Sequence, residues 1–356
     1  MANKEKDLIT MGRSSIDLYS QNIGADFIDI KGFDAFVGGS PLNIAVGCRR
    51  LGASATLLTA VGDDKVGDFI LHFLEKQQVD TAFIPRIPHA RTSAVVLGIE
   101  PPDRFPLVYY RENAADSHLT IDHVVAADIS RYKVLEISGT ALNREPSRSA
   151  VFYAAEAAVD NGVDVVLDVD FRADQWTDVR SFGLMVRALL PKVKIAIGTE
   201  EEIQAATLHS ADQVSISHQQ ISAPQIKGDI EASIKKILQL GPETLLVKRG
   251  SKGVTIVHKD GTRMDVPGFP VEVLNVLGAG DAFASGFIYG YLQGWSLYKA
   301  CRMGNASGAW VVQKPGCAND MPYYDELMQF VASRGGLGEE PTAVRQQPTP
   351  APPGRG

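Results

Sequence analysis

The stretch "VLNVLGAGDAFASG", residues 273–286, places an aspartate directly after a turn that contains two glycines. The apolar periodicity that follows predicts a helix beginning at this turn, so the amides of Gly278, Ala279 and Gly280 lie near its unpaired N-terminal donors. Glycine also lets a phosphate approach the backbone without a Cβ in the way. The stretch therefore predicts an anion-binding turn.

Asp281 is the unexpected residue of this turn, because a carboxylate repels a bound phosphate. Its position is explained if Asp281 accepts the proton of a hydroxyl group that attacks the phosphate. An ordinary N-terminal cap is the alternative, since aspartate caps helices well. The spacing alone does not separate these two interpretations.

The rest of the 356-residue chain alternates short apolar patterns with helical ones. Strand patterns occupy residues 7–12, 55–62, 133–138, 163–170, 193–198 and 243–248. Helical patterns occupy residues 41–52, 65–78, 146–162, 228–241 and 295–313. This alternation predicts an α/β fold with a mostly parallel sheet flanked by helices.

Two segments break the alternation, at about 16–39 and 91–113, and both have the pattern of extended hairpins. We expect them to form a small β-sheet that stands off the core. The folded domain is expected to span residues 7–334. The tail, residues 335–356, is rich in proline and lacks apolar periodicity, which predicts disorder.

Composition limits the class of partner. The net charge is −7 and the isoelectric point about 5.6, which argues against a nucleic-acid surface and requires local cations for any anionic ligand. The three cysteines lack metal-ligand spacing, and no apolar run approaches the roughly 18 residues of a membrane span. With no basic-then-apolar leader, we expect a soluble protein of the reducing cytoplasm that does not bind membranes.

Three motifs together resemble the signatures of the ribokinase-like (PfkB) sugar kinases. They are "NVLGAGDAFASG" (275–286), "GGSPLNIAVGCRRLG" (38–52) and "LLTAVGDDKVGDF" (57–69), and the likeness extends over about residues 8–332. The resemblance implies a ribokinase-like fold whose small sheet is a lid over the site. It also implies transfer of a phosphoryl group from ATP, with Mg²⁺, to a sugar hydroxyl, by a homodimer that pairs through the lid.

The resemblance also implies roles for single residues. Asp281 matches the general base, and the amides from Gly278 to Asp281 match an anion hole. Four residues match the acceptor-binding elements: Asp17, Gly38, Gly39 and Asn43. Asn43 could instead cap or sit inside the helix that it opens.

Two segments resemble those of kinases that act on keto-deoxy sugar acids, and they indicate such an acid, phosphorylated on its C6 hydroxyl, as the acceptor. In "VYYREN" (108–113), Tyr110 and Arg111 are the candidates, because a guanidinium matches a carboxylate bidentately. An exposed edge-strand cation is the alternative for Arg111. In "DVDFRADQW" (168–176), Asp170 stands where asparagine is usual, and Arg172 could contact phosphate or carboxylate, or only organise the loop.

The resemblance places the nucleotide beside "VKRGSKGV" (247–254) and the penultimate helix. The implied ATP-binding residues are Lys248, Gly250, Gly253, Asn305 and Gly308, although a simple β-turn explains the two glycines of "VKRGSKGV" nearly as well. Glu202 aligns with a magnesium motif that begins at Thr199 and would act through water. A carboxylate that pairs with the helix dipole is the alternative. Asn275 replaces an acidic residue of potassium-binding relatives, so a monovalent-cation requirement is doubtful.

Other functions remain open to different degrees. A nicotinamide oxidoreductase is disfavoured, because no GxGxxG follows the first strand pattern. A catalytically inactive sugar sensor on the same fold is disfavoured by Asp281 and its glycines, but fold does not fix function. Among kinase acceptors, 2-keto-3-deoxygluconate and fructose are the alternatives to the favoured acid.

Overall fold

The computed structural model describes residues 4–100, 104–215, 225–341 and 344–345. The strands are β1 Lys6–Met11, β2 Ser15–Ser20, β3 Phe33–Gly38, β4 Ala55–Leu58, β5 Val61–Gly62, β6 Arg86–Ile87, β7 Ser93–Leu97, β8 Leu107–Tyr110, β9 Tyr132–Ser138, β10 Asp164–Asp168, β11 Ile195–Thr199, β12 Val214–Ser215, β13 Gln225–Ile226, β14 Thr244–Lys248, β15 Val254–His258, β16 Thr262–Val266 and β17 Val344–Arg345. The helices are α1 Ser40–Leu51, α2 Lys65–Lys76, α3 Ile121–Ala127, α4 Ser147–Asp160, α5 Val179–Leu189, α6 Glu200–Ala206, α7 Ile230–Leu240, α8 Ala279–Leu292, α9 Leu297–Val311 and α10 Tyr324–Ala332.

A large sheet forms the centre of the fold and confirms the predicted architecture. Its order within the described residues is β17-β16-β15-β14-β11-β10-β9-β1-β4. The strands from β14 to β4 are parallel, and β15, β16 and β17 extend the sheet with antiparallel pairs. The parallel strands are nearly continuous apolar runs because helices cover both faces.

Two apolar clusters lie on the two faces of this sheet. One cluster joins the sheet to α4, α5 and α7, and the other joins it to α1, α2, α8 and α9. The five predicted helices are all present, with bounds within two residues of the prediction. The helix α6 follows Thr199, where the dipole interpretation of Glu202 requires a helix, whereas α3, α5 and α10 lie in segments for which the sequence patterns gave no helix. No helix of the described ranges is both long and apolar enough to cross a bilayer.

The lid sheet, as we call the four strands β3, β2, β7 and β8, is separate from the large sheet. It arises from the two segments that broke the α/β alternation, and residues 101–103 of the second segment lie outside the described ranges. Side chains alternate between an inner and an outer face, as the period of two requires. The inner face carries an apolar cluster that packs against Leu277, next to the glycine turn.

The tail differs from the expectation of disorder at its described beginning. Val344–Arg345 pairs with Thr262 and Arg263 as an edge strand of the large sheet. Arg302 also donates hydrogen bonds to the carbonyl oxygens of Gly336 and Leu337. These backbone bonds do not require apolar side chains, so hydrophobic periodicity could not reveal them. Residues 342–343 and 346–356 lie outside the described ranges.

The helices α1 and α8 approach closely at Gly47. A Cβ at this position would lie 2.3 Å from Ser285 Oγ and 2.6 Å from Ser285 Cβ. These distances are far shorter than van der Waals contact, so only glycine fits without moving one helix. Because Asn43 lies on α1 and Asp281 on α8, this contact sets the distance between two candidate site residues.

We predict that Gly47→Ala separates α1 from α8 and lowers the free energy of unfolding by about 1–3 kcal/mol, the usual cost of overpacking. The change should also reduce turnover, because it moves Asn43 relative to Asp281. Thermal unfolding and steady-state kinetics measure the two effects. The control is Gly228→Ala, whose new Cβ would meet only the Gln204 side chain at 3.5 Å. Equal stability of the two variants would contradict the proposed helix contact.

Candidate active site

Charged side chains collect at the carboxyl ends of the parallel strands. Arg13 follows β1, Asp168 ends β10, Glu202 follows β11 and Lys248 ends β14. Ligands of open α/β sheets bind at this edge, where the loops after the strands meet. The lid sheet and the N-terminus of α8 lie beside the same edge, so the tertiary structure assembles one site from distant parts of the chain.

The glycine turn leads into α8 as the sequence predicts. Gly278 precedes the helix with a φ of 78°, a left-handed conformation that favours glycine, and a Cβ there would overlap Cys317 Sγ. The amides of Gly278, Gly280 and Asp281 make no hydrogen bond within the described residues, whereas the Ala279 amide donates to Val276 O at 3.3 Å. Three amides are therefore available to an anion, and that of Ala279 is already used.

Asp281 lies in the first turn of α8 and contacts α1. Asn43 Nδ2 donates a hydrogen bond to Asp281 Oδ2 at 2.6 Å. Burial and the neighbouring Asp170 raise the pKa of Asp281, while the bond from Asn43 opposes this rise. Among the described residues, the Asp281 carboxylate accepts from Asn43 Nδ2 and from Cys317 Sγ at 3.7 Å, and from no amide of α8. The carboxylate is therefore held beside the free amides, in a position from which it can accept a proton.

Asp17 lies on the inner face of the lid sheet, on β2. Its Oδ1 accepts a hydrogen bond from Ser15 Oγ at 2.7 Å. Burial raises the pKa of Asp17 to about 6, and Arg13 limits this rise. Gly38 pairs with Ser15 on the neighbouring strand, and a Cβ there would lie 2.0 Å from Asp17 Oδ2. The missing side chain of Gly38 therefore makes room for the Asp17 carboxylate, while that of Gly39 lets the backbone of Arg13 approach.

Lys248 connects the acidic groups to the glycine turn. Its Nζ lies 3.3 Å from Asp168 Oδ1 and 3.6 Å from Glu202 Oε2. A Cβ on Gly280 would lie only 3.1 Å from the same Nζ, so this cation borders the turn. Burial raises the pKa of Asp168 to about 7, an effect that Lys248 opposes and Glu202 strengthens.

Glu202 is engaged at the start of α6. It forms a capping box with Thr199, in which Thr199 Oγ1 accepts from the Glu202 amide and Glu202 Oε2 accepts from the Thr199 amide. The described residues contain no cluster of three or more His, Cys, Asp or Glu that could hold a metal directly. Mg²⁺ keeps several waters and needs one or two carboxylates plus phosphates, so Glu202 and Asp168 fit a water-mediated ion.

Asp170 and Arg172 form an ion pair after β10. Arg172 Nη2 lies 2.8 Å from Asp170 Oδ1, and Asp170 Oδ2 accepts a hydrogen bond from Ser138 Oγ at 2.7 Å. Asp170 has a φ of 40°, which Asn and Asp tolerate better than other non-glycine residues. Burial raises the pKa of Asp170, but the guanidinium groups of Arg172 and Arg13 hold it below its usual value.

The structure corrects the predicted surroundings of Arg111. It is 6% exposed, so it is not an exposed edge-strand cation. Its Nε and Nη2 bond to Asp116 Oδ2, and its Nη1 donates to Thr140 O and to Gln175 Oε1. A guanidinium has five N–H groups, and these contacts use four of them. Arg111 therefore lacks the free fork that bidentate binding of a carboxylate requires.

Tyr110 is not brought to the site. It is 63% exposed and lies on the outer face of the lid sheet, because successive residues of a strand point to opposite faces. Tyr109 takes the inner position instead. The guanidinium of Arg13 lies 5.2 Å from the centre of the Tyr109 ring. The period of two, applied to "VYYREN", would have identified Tyr109 as the inner residue.

Arg13 was not among the residues selected from the sequence. It lies in the short connection between β1 and β2, is 6% exposed, and donates from Nη1 to Ser15 Oγ at 3.0 Å. Its Nε is buried with no hydrogen-bond partner. The signal that could have found it is its position just after the first predicted strand, at the edge where α/β sheets bind ligands.

The predicted nucleotide residues lie on the other side of the glycine turn. Gly250 and Gly253 form the turn between β14 and β15, which closes through a bond from the Gly253 amide to Gly250 O. Asn305 Nδ2 donates to Val266 O and Pro267 O, which ties α9 to the end of β16. Gly308 faces Ala279, since a Cβ there would lie 3.3 Å from Ala279 O.

Known proteins resemble this chain in sequence. Residues 5–323 match the pfkB family carbohydrate kinases. Curated relatives called 5-dehydro-2-deoxygluconokinase include one from Clostridium perfringens, 31% identical over 91% of this chain and 92% of the relative. Another, from Geobacillus thermodenitrificans, is 32% identical over 92% of this chain and 94% of the relative.

Solved structures agree in fold. A putative ribokinase II from Escherichia coli, in complex with ATP and Mg²⁺, has a TM-score of 0.80 and 22% identity, covering 92% of this chain and 99% of its own. A fructokinase double mutant from Vibrio cholerae with bound fructose, ADP and potassium has a TM-score of 0.77 and 23% identity, covering 93% and 99%. The match across nearly the whole chain, together with the fold and the site, means that this protein belongs to the pfkB family of carbohydrate kinases.

Proposed function

We propose that the protein transfers the γ-phosphoryl group of ATP to the C6 hydroxyl of 5-dehydro-2-deoxy-D-gluconate, in the cytoplasmic breakdown of inositol. The observation that carries this proposal is Asp281, held by Asn43 beside three free amides at the start of α8. The name shared by relatives that cover more than nine-tenths of the chain supports the choice of acceptor.

Catalysis in this proposal is mainly positioning and charge stabilisation. Asp281 accepts the proton of the C6 hydroxyl as that oxygen attacks the γ-phosphorus. The amides of Gly278, Gly280 and Asp281 receive the charge that develops on the transferred group. Lys248 borders the same turn and adds a positive charge. Glu202 and Asp168 would hold the magnesium ion that accompanies ATP, and that ion would neutralise phosphate charge.

The acceptor lies between the lid sheet and α1. Asp17 accepts hydrogen bonds from sugar hydroxyls, and Gly38 and Gly39 allow the polyol to approach. Arg172 Nη2 pairs with Asp170, and its buried Nε, which has no hydrogen-bond partner among the described residues, is available to the transferred phosphate. Closure of the lid sheet excludes water from the site. Gly250, Gly253, Asn305 and Gly308 border the nucleotide.

An acidic acceptor is favoured over a neutral one by Arg13. Arg111 is paired with Asp116 and Arg172 with Asp170, whereas the buried Arg13 has no ion pair within 4.0 Å among the described residues, in a protein of net charge −7. Such a buried cation suits an anionic ligand. Fructose remains the neutral alternative, and 2-keto-3-deoxygluconate the acidic one.

Potassium is not part of this proposal. Asn275 is buried, its Nδ2 donates to Pro315 O, and its Oδ1 accepts from the Leu277 amide. The neutral side chain therefore joins two loops through hydrogen bonds, and it supplies no negative charge for a monovalent cation.

The first test of the proposed function concerns the base. Asp281→Asn should lower kcat by about 100-fold to 10,000-fold, because an amide cannot accept the hydroxyl proton. The affinity for ATP and the melting temperature should change little, since the free amides and the packing remain. Asp325→Asn, at an exposed position in the first turn of α10, is the control and should keep full activity. Near-normal turnover of Asp281→Asn would remove the assignment.

The second prediction concerns the acceptor. ADP release is measured with 5-dehydro-2-deoxygluconate, 2-keto-3-deoxygluconate and fructose, and the phosphorylated carbon is identified by ³¹P NMR. The first acid should give the highest kcat/KM and a 6-phosphate, because relatives that cover more than nine-tenths of the chain carry its name. Both acids should exceed fructose, which lacks an anionic end. A preference for fructose would replace the proposed acceptor. Binding without ADP release for every sugar would instead support an inactive sensor.

The outer face of the lid sheet supports a homodimer. This face is apolar across all four strands and carries Ile16, Leu18, Phe33, Ala35, Ala94, Val96, Val108 and Tyr110. Val108 and Tyr110 are 42% and 63% exposed. A continuous apolar sheet face of this kind is unusual on a monomer, and a second copy offers a matching surface. We therefore propose that two lids pair face to face.

The third prediction tests this pairing. Val108→Glu places a charge in the outer lid face and should convert the dimer to a monomer at micromolar concentration, as measured by light scattering. Val159→Glu is the matched control, because Val159 is 51% exposed on α4, away from the lid. Wild-type protein that is monomeric at this concentration, or a Val108→Glu variant that stays dimeric, would contradict the proposal.

A further inference from the structure

We propose that Arg13 binds the carboxylate of the acceptor and thereby selects sugar acids over neutral sugars. This inference rests on the proposed function, since it names the cation that meets the acidic end of that substrate. It assigns a binding role to a residue for which the sequence motifs gave none.

Arg13 lies on the acceptor side of the site. A Cβ on Gly39 would lie 2.3 Å from the carbonyl oxygen of Arg13, so the two backbones touch. The amide of Asn43 donates to Gly39 O, and the Asn43 side chain donates to Asp281. Arg13 is therefore connected to Asp281, the proposed base, through Gly39 and Asn43, but does not contact it. The acidic end and the C6 hydroxyl lie at opposite ends of the proposed acceptor, which requires such a separation.

The charge of Arg13 lacks a carboxylate partner. Among the described residues, no Asp or Glu oxygen forms an ion pair with it within 4.0 Å, although it is only 6% exposed. Its Nη1 donates to Ser15 Oγ, whereas its Nε and Nη2 make no hydrogen bond in the described chain. Burial disfavours the charged form, but Tyr109 and the carboxylates of Asp17, Asp170 and Asp116 raise the pKa of Arg13 overall. None of these carboxylates occupies the edge formed by Nε and Nη2, which binds a carboxylate bidentately.

The other two arginines are already committed. Arg111 uses four of its five N–H groups on Asp116, Thr140 O and Gln175 Oε1. Arg172 is paired with Asp170 at 2.8 Å and donates to Phe171 O. Bidentate binding of a substrate carboxylate would require Arg111 to give up Asp116. The Nε of Arg172 is also buried without a partner, but Nη2 on the same edge is taken by Asp170, which would have to be displaced. Arg13 would gain its first carboxylate partner within ion-pair distance.

Tyr109 fixes the orientation of the Arg13 side chain. The aromatic ring lies 5.2 Å from the guanidinium carbon, within the range of a cation–π contact. Ser15 Oγ accepts a hydrogen bond from Arg13 Nη1 and donates one to Asp17 Oδ1. The guanidinium is thus preorganised beside the carboxylate that receives sugar hydroxyls, and little rotamer freedom is lost when an acid binds.

The experiment compares an acid with its neutral counterpart. Calorimetric Kd and kcat/KM are measured for 5-dehydro-2-deoxygluconate and for its C1 carboxamide, with wild type, Arg13→Gln, Arg13→Lys and Arg111→Gln. The acid-over-amide preference of the wild type should fall by roughly 30-fold or more in Arg13→Gln, as expected when one side of a desolvated charge pair is removed. Arg13→Lys should retain part of the preference, because it keeps the charge but not the fork.

The Arg111→Gln variant separates a specific contact from a general one. It should lower stability, because Asp116 loses its partner, while the folded fraction keeps the acid-over-amide preference. ATP affinity and the melting temperature verify that the Arg13 variants are folded, and Arg13→Lys provides the test if Arg13→Gln does not fold.

The outcomes distinguish the two proposals. If wild type prefers the acid and Arg13→Gln retains that preference, or loses acid and amide binding equally, the role of Arg13 is overturned and the proposed function stands. If Arg111→Gln loses the preference in place of Arg13→Gln, the carboxylate binds at Arg111. A wild-type protein with no preference for the acid overturns both proposals.

Discussion

The hydrogen bond between Asn43 and Asp281 is the constraint on which the site depends. It joins the N-terminal turns of α1 and α8, two helices separated by more than two hundred residues of sequence. The close approach at Gly47 and Ser285 makes this bond possible, and Cys317 packs against Gly278 behind it. Because α1 also begins next to Gly38 and Gly39, the same contact would set the position of the proposed acceptor relative to the proposed base.

The site separates its charges into two groups. On the nucleotide side, Lys248 is placed among Asp168, Glu202 and the glycine turn, where phosphate and magnesium would meet. On the acceptor side, Arg111 is paired with Asp116. Its hydrogen bond to Thr140 O joins the end of the lid sheet to the loop after β9. Arg13 keeps an unpaired edge. A protein of negative net charge can thus bind two anions, because each meets a local cation.

The lid sheet has two apolar faces with different consequences. Its inner face packs on Leu277, which places Asp17 and Tyr109 over the glycine turn. On its outer face Val108 and Tyr110 are exposed within the described residues, and in the proposed dimer a second copy covers them. A sheet of four short strands has little stability alone, so burial of the outer face would stabilise the lid as well as the dimer. Assembly and closure of the site are linked in this arrangement.

The sequence by itself determined the α/β fold, the two lid segments and the glycine turn before Asp281, because these follow from local periodicity and from the backbone needs of glycine. Only the tertiary structure decided which charges remain free. The sequence identifies Arg111 as a candidate cation, but only the structure shows that Asp116, Thr140 and Gln175 accept its hydrogen bonds. Arg13 gains its importance because distant residues bury it without pairing it. Pairing and burial depend on contacts between remote segments, which local patterns do not encode.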